Sequence, residues 1–103
     1  REMTVMFSDI RGFTNMAEQM SVRKTFQFIN TYLQGISPLV RTHNGFVVKY
    51  MGDGMMAVFP YAAEHAIDSA IAQFQKVQEH NQQIDTQSQS TFAIEIGIGL
   101  HFG

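Results

Sequence analysis

A short turn, Lys49-Tyr50-Met51-Gly52-Asp53-Gly54, constrains this chain more than any other stretch. It separates two apolar runs, Phe46-Val47-Val48 and Met55-Met56-Ala57-Val58-Phe59, each bounded by Gly or Pro. Short runs rich in β-branched and aromatic residues between such breakers read as buried strands. An Asp-Gly pair between them is a hairpin signal, because glycine accepts the positive φ that a tight reversal needs. The turn therefore predicts a hairpin with Asp53 at its tip and Lys49 near the end of its first arm. Charged groups in such a place must face water, each other or a ligand. Taken alone, a solvated turn with an incidental Lys49–Asp53 pair accounts for both.

A second stretch asks for more. Thr4 to Asp9 reads as a strand that ends in a carboxylate, and Gly12 then loosens the chain before a helical pattern begins. A strand, a glycine turn and a helix start form a geometry that can present backbone N–H groups to phosphate. Asp9 can hold a divalent cation there, since hard cations prefer oxygen ligands. The plainer reading is that Asp9 and Thr14 only cap the following helix.

The rest of the chain supplies the frame. A short helix is expected over Thr14–Met20. A long one is capped by Ser21 and runs to about His43, with an apolar stripe at Val22, Phe26, Ile29, Leu33, Ile36 and Val40. Pro38 should kink it or open its last turn, and Asn44-Gly45 stops it. A third helix is expected over Ala62–Gln82, burying Ala63, Ala66, Ile67, Ala70, Ile71, Phe74 and Val77, with His65 and His80 at the surface. Gln82 to Ser90 reads as a polar loop, and Thr91–Phe102 as the last strand, where Gly97 and Gly99 suggest a bulge or close packing. Strand, helices, hairpin, helix, strand predicts an α+β fold, a ferredoxin-like antiparallel sheet with helices on one face. There the first strand lies antiparallel to the second hairpin arm, so Asp9 and Asp53 reach one edge. Two carboxylates that converge repel each other unless a cation joins them.

Phe7-Ser8-Asp9-Ile10-Arg11-Gly12-Phe13-Thr14 and Lys49-Tyr50-Met51-Gly52-Asp53-Gly54, in this order and spacing, resemble the two signature stretches of class III nucleotide cyclase catalytic domains. Ile96-Gly97-Ile98-Gly99-Leu100-His101-Phe102-Gly103 is similar to the Gly-rich strand that follows in that family, although Phe102 stands where a small polar residue is common. The resemblance covers essentially the whole chain. It implies an adenylate cyclase that converts ATP to cyclic AMP and pyrophosphate with two divalent metal ions, Mg²⁺ or Mn²⁺. It implies that Asp9, Asp53 and the Ile10 carbonyl hold the metals, and that N–H groups of Arg11, Gly12, Phe13 and Thr14 hold the terminal phosphates. Lys49 matches the base-selecting lysine, whose ammonium suits the N1 acceptor of adenine, where guanine presents a donor. It also implies a homodimer in which Lys49 of one chain serves the carboxylates of the other. Family members continue past this strand to a second base contact and to an Asn and an Arg of the transition state. Residues 1–103 are thus expected to be one partial catalytic domain, inactive on its own.

Composition narrows the alternatives. At 103 residues there is room for one small domain, and 45% hydrophobic residues support a packed core. A net charge of −2 with no basic run argues against nucleic acid, and so against a ferredoxin-like RNA-binding module. There are no cysteines, hence no disulfide or zinc–thiolate site. No apolar stretch reaches the ~20 residues of a membrane span. A cytoplasmic domain is expected, with any membrane anchor in parts of a longer protein. The alternative to an enzyme is a silent cyclase-like domain that binds nucleotide or a partner. Such a domain has no need of Asp9, Asp53 and Lys49 together.

Overall fold

The computed structural model describes residues 3–87 and 93–103, with the backbone alone over 83–87. In order the elements are β1 (Thr4–Ile10), α1 (Phe13–Ala17), α2 (Val22–Arg41), β2 (Phe46–Met51), β3 (Gly54–Phe59), α3 (Ala63–Gln87) and β4 (Ile96–Phe102). They form one antiparallel sheet, ordered β2-β3-β1-β4, with β1 paired to β3 and β4. This is the expected α+β arrangement.

Side chains alternate across the sheet. Met6, Ser8 and Ile10 of β1 and Met55, Ala57 and Phe59 of β3 are buried on the helix side. Phe7 and Asp9 face the open side and are exposed. The core joins the inward strand residues to Ile36 and Val40 of α2 and to Ala66, Ala70 and Val77 of α3. Fully burying a side chain the size of Met6, Ile36 or Phe59 contributes about 1.5–3 kcal/mol.

Both helical stripes differ from expectation. Val22 and Phe26 are 74% and 63% exposed, because the first turns of α2 extend beyond what α3 and the sheet cover. Lower on that helix Phe28, Tyr32 and Leu39 join the core alongside Ile36 and Val40. On α3, Ile67, Ile71 and Phe74 are exposed, while Ser69 and Gln73 are fully buried. Helix α3 turns its small and polar column inward because those polar groups find partners there. Ser8 Oγ donates to Gln73 Oε1 (3.1 Å), Gln73 Nε2 to Ser69 Oγ (3.2 Å), and Ser69 Oγ to the Leu39 carbonyl (2.9 Å). A buried amide with its bonds made loses little on burial. The column of small residues then brings α3 close to the sheet.

Other boundaries moved as well. Ser21 caps α2 as expected, accepting from the Lys24 N–H at 3.1 Å. Pro38 lies within an unbroken helix. The short first helix ends at Ala17. The third helix continues to Gln87, through residues expected to be loop, since glutamine is a good helix former. The remainder of that expected loop, and Thr91 and Phe92 of the expected last strand, lie outside the described residues. The strand itself begins at Ile96; just before it, the Asn81 amide bonds both the N–H and the carbonyl of Ile94 (2.9 Å each). β4 pairs without a bulge; the register shift is in β2, between Val47 and Lys49. His65 and His80 are half-buried rather than superficial. The His80 ring meets Phe28 edge-on at 6.4 Å, in a cavity of about 360 Å³ between α2 and α3.

Candidate active site

The hairpin reverses on Gly52-Asp53, one residue earlier than the Asp53-Gly54 pair suggested. Gly52 has φ 61°, a conformation most side chains avoid. Gly54 opens β3 and serves by being small. A Cβ there would lie 3.3 Å from the Met51 carbonyl and 3.7 Å from Asp9 Cβ. The hairpin tip therefore presses against the end of β1. Asp53 closes that contact: its Oδ2 accepts the Ile10 N–H at 3.0 Å.

Strand geometry then orders the neighbours. Arg11 N–H donates to the Glu95 carbonyl on the β4 side (2.8 Å), so Ile10, one residue earlier, turns its N–H and carbonyl to the hairpin side. Asp9 is exposed on the open face, paired across the ladder with Gly97. Asp9, the Ile10 carbonyl and Asp53 thus share one end of the sheet. Among the described residues, no group of three or more His, Asp or Glu forms a metal cluster. Two carboxylates and a carbonyl form an all-oxygen donor set with places left for water and phosphate, which suits Mg²⁺ or Mn²⁺.

The loop expected to hold phosphate differs in one respect from expectation. Its Arg11 N–H is taken by Glu95 and is no donor for a ligand. Gly12, at φ 66°, is the N-cap of α1, and no side chain caps that helix. Neither Asp9 nor Thr14 is used as a cap. The first intrahelical bond is Met16 N–H to the Gly12 carbonyl, which leaves the Phe13 and Thr14 N–H groups at the helix start. The Phe13 side chain packs against the core and anchors the loop; Thr14 is exposed.

Lys49 stands apart from these residues. It pairs with Met56 on the open face of edge strand β2, and Met56 pairs in turn with Phe7. Two strand spacings, about 9–10 Å, separate it laterally from β1. No ion pair joins it to Asp53, so the incidental charge pair does not form.

Beneath the sheet lies a residue that sequence reasoning passed over. Tyr32 of α2 has its hydroxyl buried with no hydrogen bond of good geometry, and Ser8 is its polar neighbour. Burial pushes its phenol up to about 12; the Ser8 hydroxyl offsets part of this, and the negative charges of Asp53 and Asp9 add to it. The folded state therefore holds the proton that the unfolded chain releases near pH 10. Stability is complete below pH 10 and falls between pH 10 and 12, by roughly 2–3 kcal/mol. Tyr32→Phe should be near neutral at pH 7 and should flatten that alkaline loss in urea titrations. An alkaline limb identical in wild type and variant would contradict this. A readable signal existed: Tyr32 is four residues from both Phe28 and Ile36, hence on an inward column, and Ser8 is a polar residue at an inward strand position.

The family model of the adenylate and guanylate cyclase catalytic domain matches residues 1–103. This chain belongs to that family. It is 37% identical to an adenylate cyclase of Anabaena cylindrica, over all of this chain and 21% of that protein. It is 34% identical to the terminal-differentiation specific adenylate cyclase of Dictyostelium discoideum, over 5% of that protein. Among solved structures, the cyclase domain superposes on the adenylyl cyclase CyaB from P. aeruginosa with TM-score 0.85 at 29% identity, covering 99% of this chain and 56% of that one. The guanylyl cyclase Cya2 gives TM-score 0.86 at 27% identity, with 54% of that chain covered. The cyclase domain described here thus spans about half of those solved chains and about a fifth or less of those relatives. Adenylyl and guanylyl cyclases both stand among the similar structures, so overall likeness does not choose the base. Among the described residues, no helix is long and apolar enough to cross a membrane.

Proposed function

We propose that this domain is the metal- and phosphate-binding part of an adenylate cyclase, which makes cyclic AMP and pyrophosphate from ATP in signal transduction. The observation that carries the reading is the Ile10 N–H to Asp53 Oδ2 bond, which ties the hairpin carboxylate to the strand end that bears Asp9. In the reaction the ribose 3′-oxygen forms a bond to the α-phosphorus. The bond from that phosphorus to the β-phosphate bridging oxygen breaks, and the hydroxyl proton is released. Two divalent cations, when bound, would acidify the hydroxyl and neutralise the leaving pyrophosphate. Asp9, Asp53 and the Ile10 carbonyl hold them. N–H groups of Gly12, Phe13 and Thr14 orient the terminal phosphates. Lys49 donates to adenine N1. Because Lys49 lies two strands from β1, it serves a site completed by a second copy, as an antiparallel homodimer would provide. Retention of both carboxylates and Lys49 favours this over a silent regulatory domain.

The test is cyclic AMP and cyclic GMP production by the intact protein with Mn²⁺ and each triphosphate. ATP should be preferred. A hydrogen bond from a charged donor is worth ~1.5–3 kcal/mol, so Lys49→Glu should lower ATP use roughly ten- to hundredfold. Efficient GTP use should not appear, because the second base contact stays adenine-type. Wild-type preference for GTP, or ATP turnover untouched by Lys49→Glu, would remove Lys49 from base reading.

A further inference from the structure

Arg11 is the one residue of the phosphate loop whose backbone donor is already used, by the Glu95 carbonyl. Its side chain folds back over β4. A Cβ built on Gly97 would lie 3.1 Å from Arg11 Nη2 and 3.2 Å from both Cζ and Nε. Three guanidinium atoms at nearly one distance mean that the plane lies flat on the glycine. Gly97 pairs with Asp9, and directly paired residues project from the same face, so the guanidinium rests on the open face across the ladder from Asp9. Asp53 approaches Asp9 from the β3 side and Arg11 from the β4 side. Among the described residues no carboxylate forms an ion pair with Arg11. A Cβ at position 97 would press on the guanidinium and shift it by a few tenths of an ångström, and a branched side chain would displace it.

We propose that the Arg11 guanidinium, seated on Gly97, binds the terminal phosphates of the triphosphate and then the pyrophosphate that leaves. The proposal rests on the cyclase reading for its ligand. Two divalent cations set against two carboxylates leave a positive surplus of roughly half the charge of an ionised triphosphate. A cation on the same face, beside the metal-holding carboxylate, supplies part of what is missing. A planar guanidinium fixed by one face keeps its edge donors for phosphate oxygens, which it meets two at a time. This also accounts for a glycine at the one position of β4 that lies opposite Asp9.

The probe is inorganic pyrophosphate, titrated calorimetrically into the intact protein with Mn²⁺ present, so that no turnover is needed. Arg11→Ala should weaken pyrophosphate about tenfold or more, and Arg11→Lys should recover part of the loss, keeping the charge without the fork. Gly97→Val should weaken it too, with Arg11 still present, because a branched side chain fills the guanidinium's seat, where a single methyl group would only shift it by a few tenths of an ångström. Mn²⁺ binding without pyrophosphate should be unchanged in all three. Wild-type affinity in Arg11→Ala or in Gly97→Val, or no pyrophosphate binding by the wild type, overturns the proposal. So does a parallel loss of Mn²⁺ affinity, which would mean that Arg11 only holds the loop. Arg11-dependent pyrophosphate binding in a protein that makes no cyclic nucleotide would uphold Arg11 and sink the cyclase reading.

Discussion

Asp53→Asn should lower cyclic-nucleotide formation by about 10³-fold or more while the protein stays folded. The substitution separates two roles of one side chain. Asp53 Oδ2 accepts the Ile10 N–H, and the amide oxygen of asparagine can accept the same bond. The hairpin tip then stays on the end of β1, and only the negative charge is lost. Asp53→Ala would remove the acceptor as well and leave the Ile10 N–H seeking water, at a cost of about 1 kcal/mol. Asp9→Asn should match Asp53→Asn in rate, and its exposed position makes it still milder for stability. The measurements are the turnover rate with Mn²⁺ and ATP, and the melting temperature, for each variant. A wild-type rate in Asp53→Asn with an unchanged melting temperature would refute a metal-holding role for the hairpin. A fall in rate that follows the melting temperature would reduce Asp53 to a brace for the turn.

Mixing two impaired variants of the intact protein should restore activity. Asp53→Ala removes the metal carboxylate and keeps Lys49; Lys49→Ala does the reverse. If one site draws its metals from one copy and its base contact from the other, a heterodimer has one complete site and one doubly broken site. With equal amounts and random pairing, about a quarter of wild-type activity is expected, against near zero for Asp53→Ala alone and roughly a tenth or less for Lys49→Ala alone. The distance of Lys49 from β1 motivates the test, because a residue two strands away does not serve Asp9 of its own chain without a large movement. The open face of the sheet offers the surface for such pairing: Phe7, Phe46 and Val48 are each about half exposed on or beside it. Heterodimers that form, shown by differently tagged chains, yet recover nothing, would place each complete site within one copy.

The exposed Ile67, Ile71 and Phe74 of α3 show where reading by periodicity stops. Helical spacing puts them in the same broad stripe as Ala66, Ala70 and Val77, and both columns satisfy a period of 3.6. Which column turns inward depends on what the helix meets. Here it meets Ser8 on β1 and the Leu39 carbonyl on α2, and the polar Gln73 and Ser69 answer them. No scan along the chain weighs a glutamine as a core residue, because its partner is 65 residues away.

Local chemistry determined a good deal on the sequence alone. Alternation and Gly-bounded apolar runs defined the strands, Ser21 and Asn44-Gly45 bounded the long helix, and the element order led to the antiparallel sheet. These features depend on φ preferences and on neighbours within a few residues, which the sequence states directly. The two carboxylate motifs likewise named the candidate site. Only the tertiary structure decided how its parts meet. It set the reversal on Gly52, gave the Asp53 carboxylate to the Ile10 N–H, assigned the Arg11 N–H to Glu95, and laid the Arg11 side chain on Gly97. The last three join segments far apart in the chain, and strand register alone chooses between one such contact and its neighbour. A shift of one residue would send Asp9 to the helix side and Ile10 to the open face. The burial of Met6, Ser8 and Ile10 beneath the helices holds that register, and with it the position of every charged group at the site.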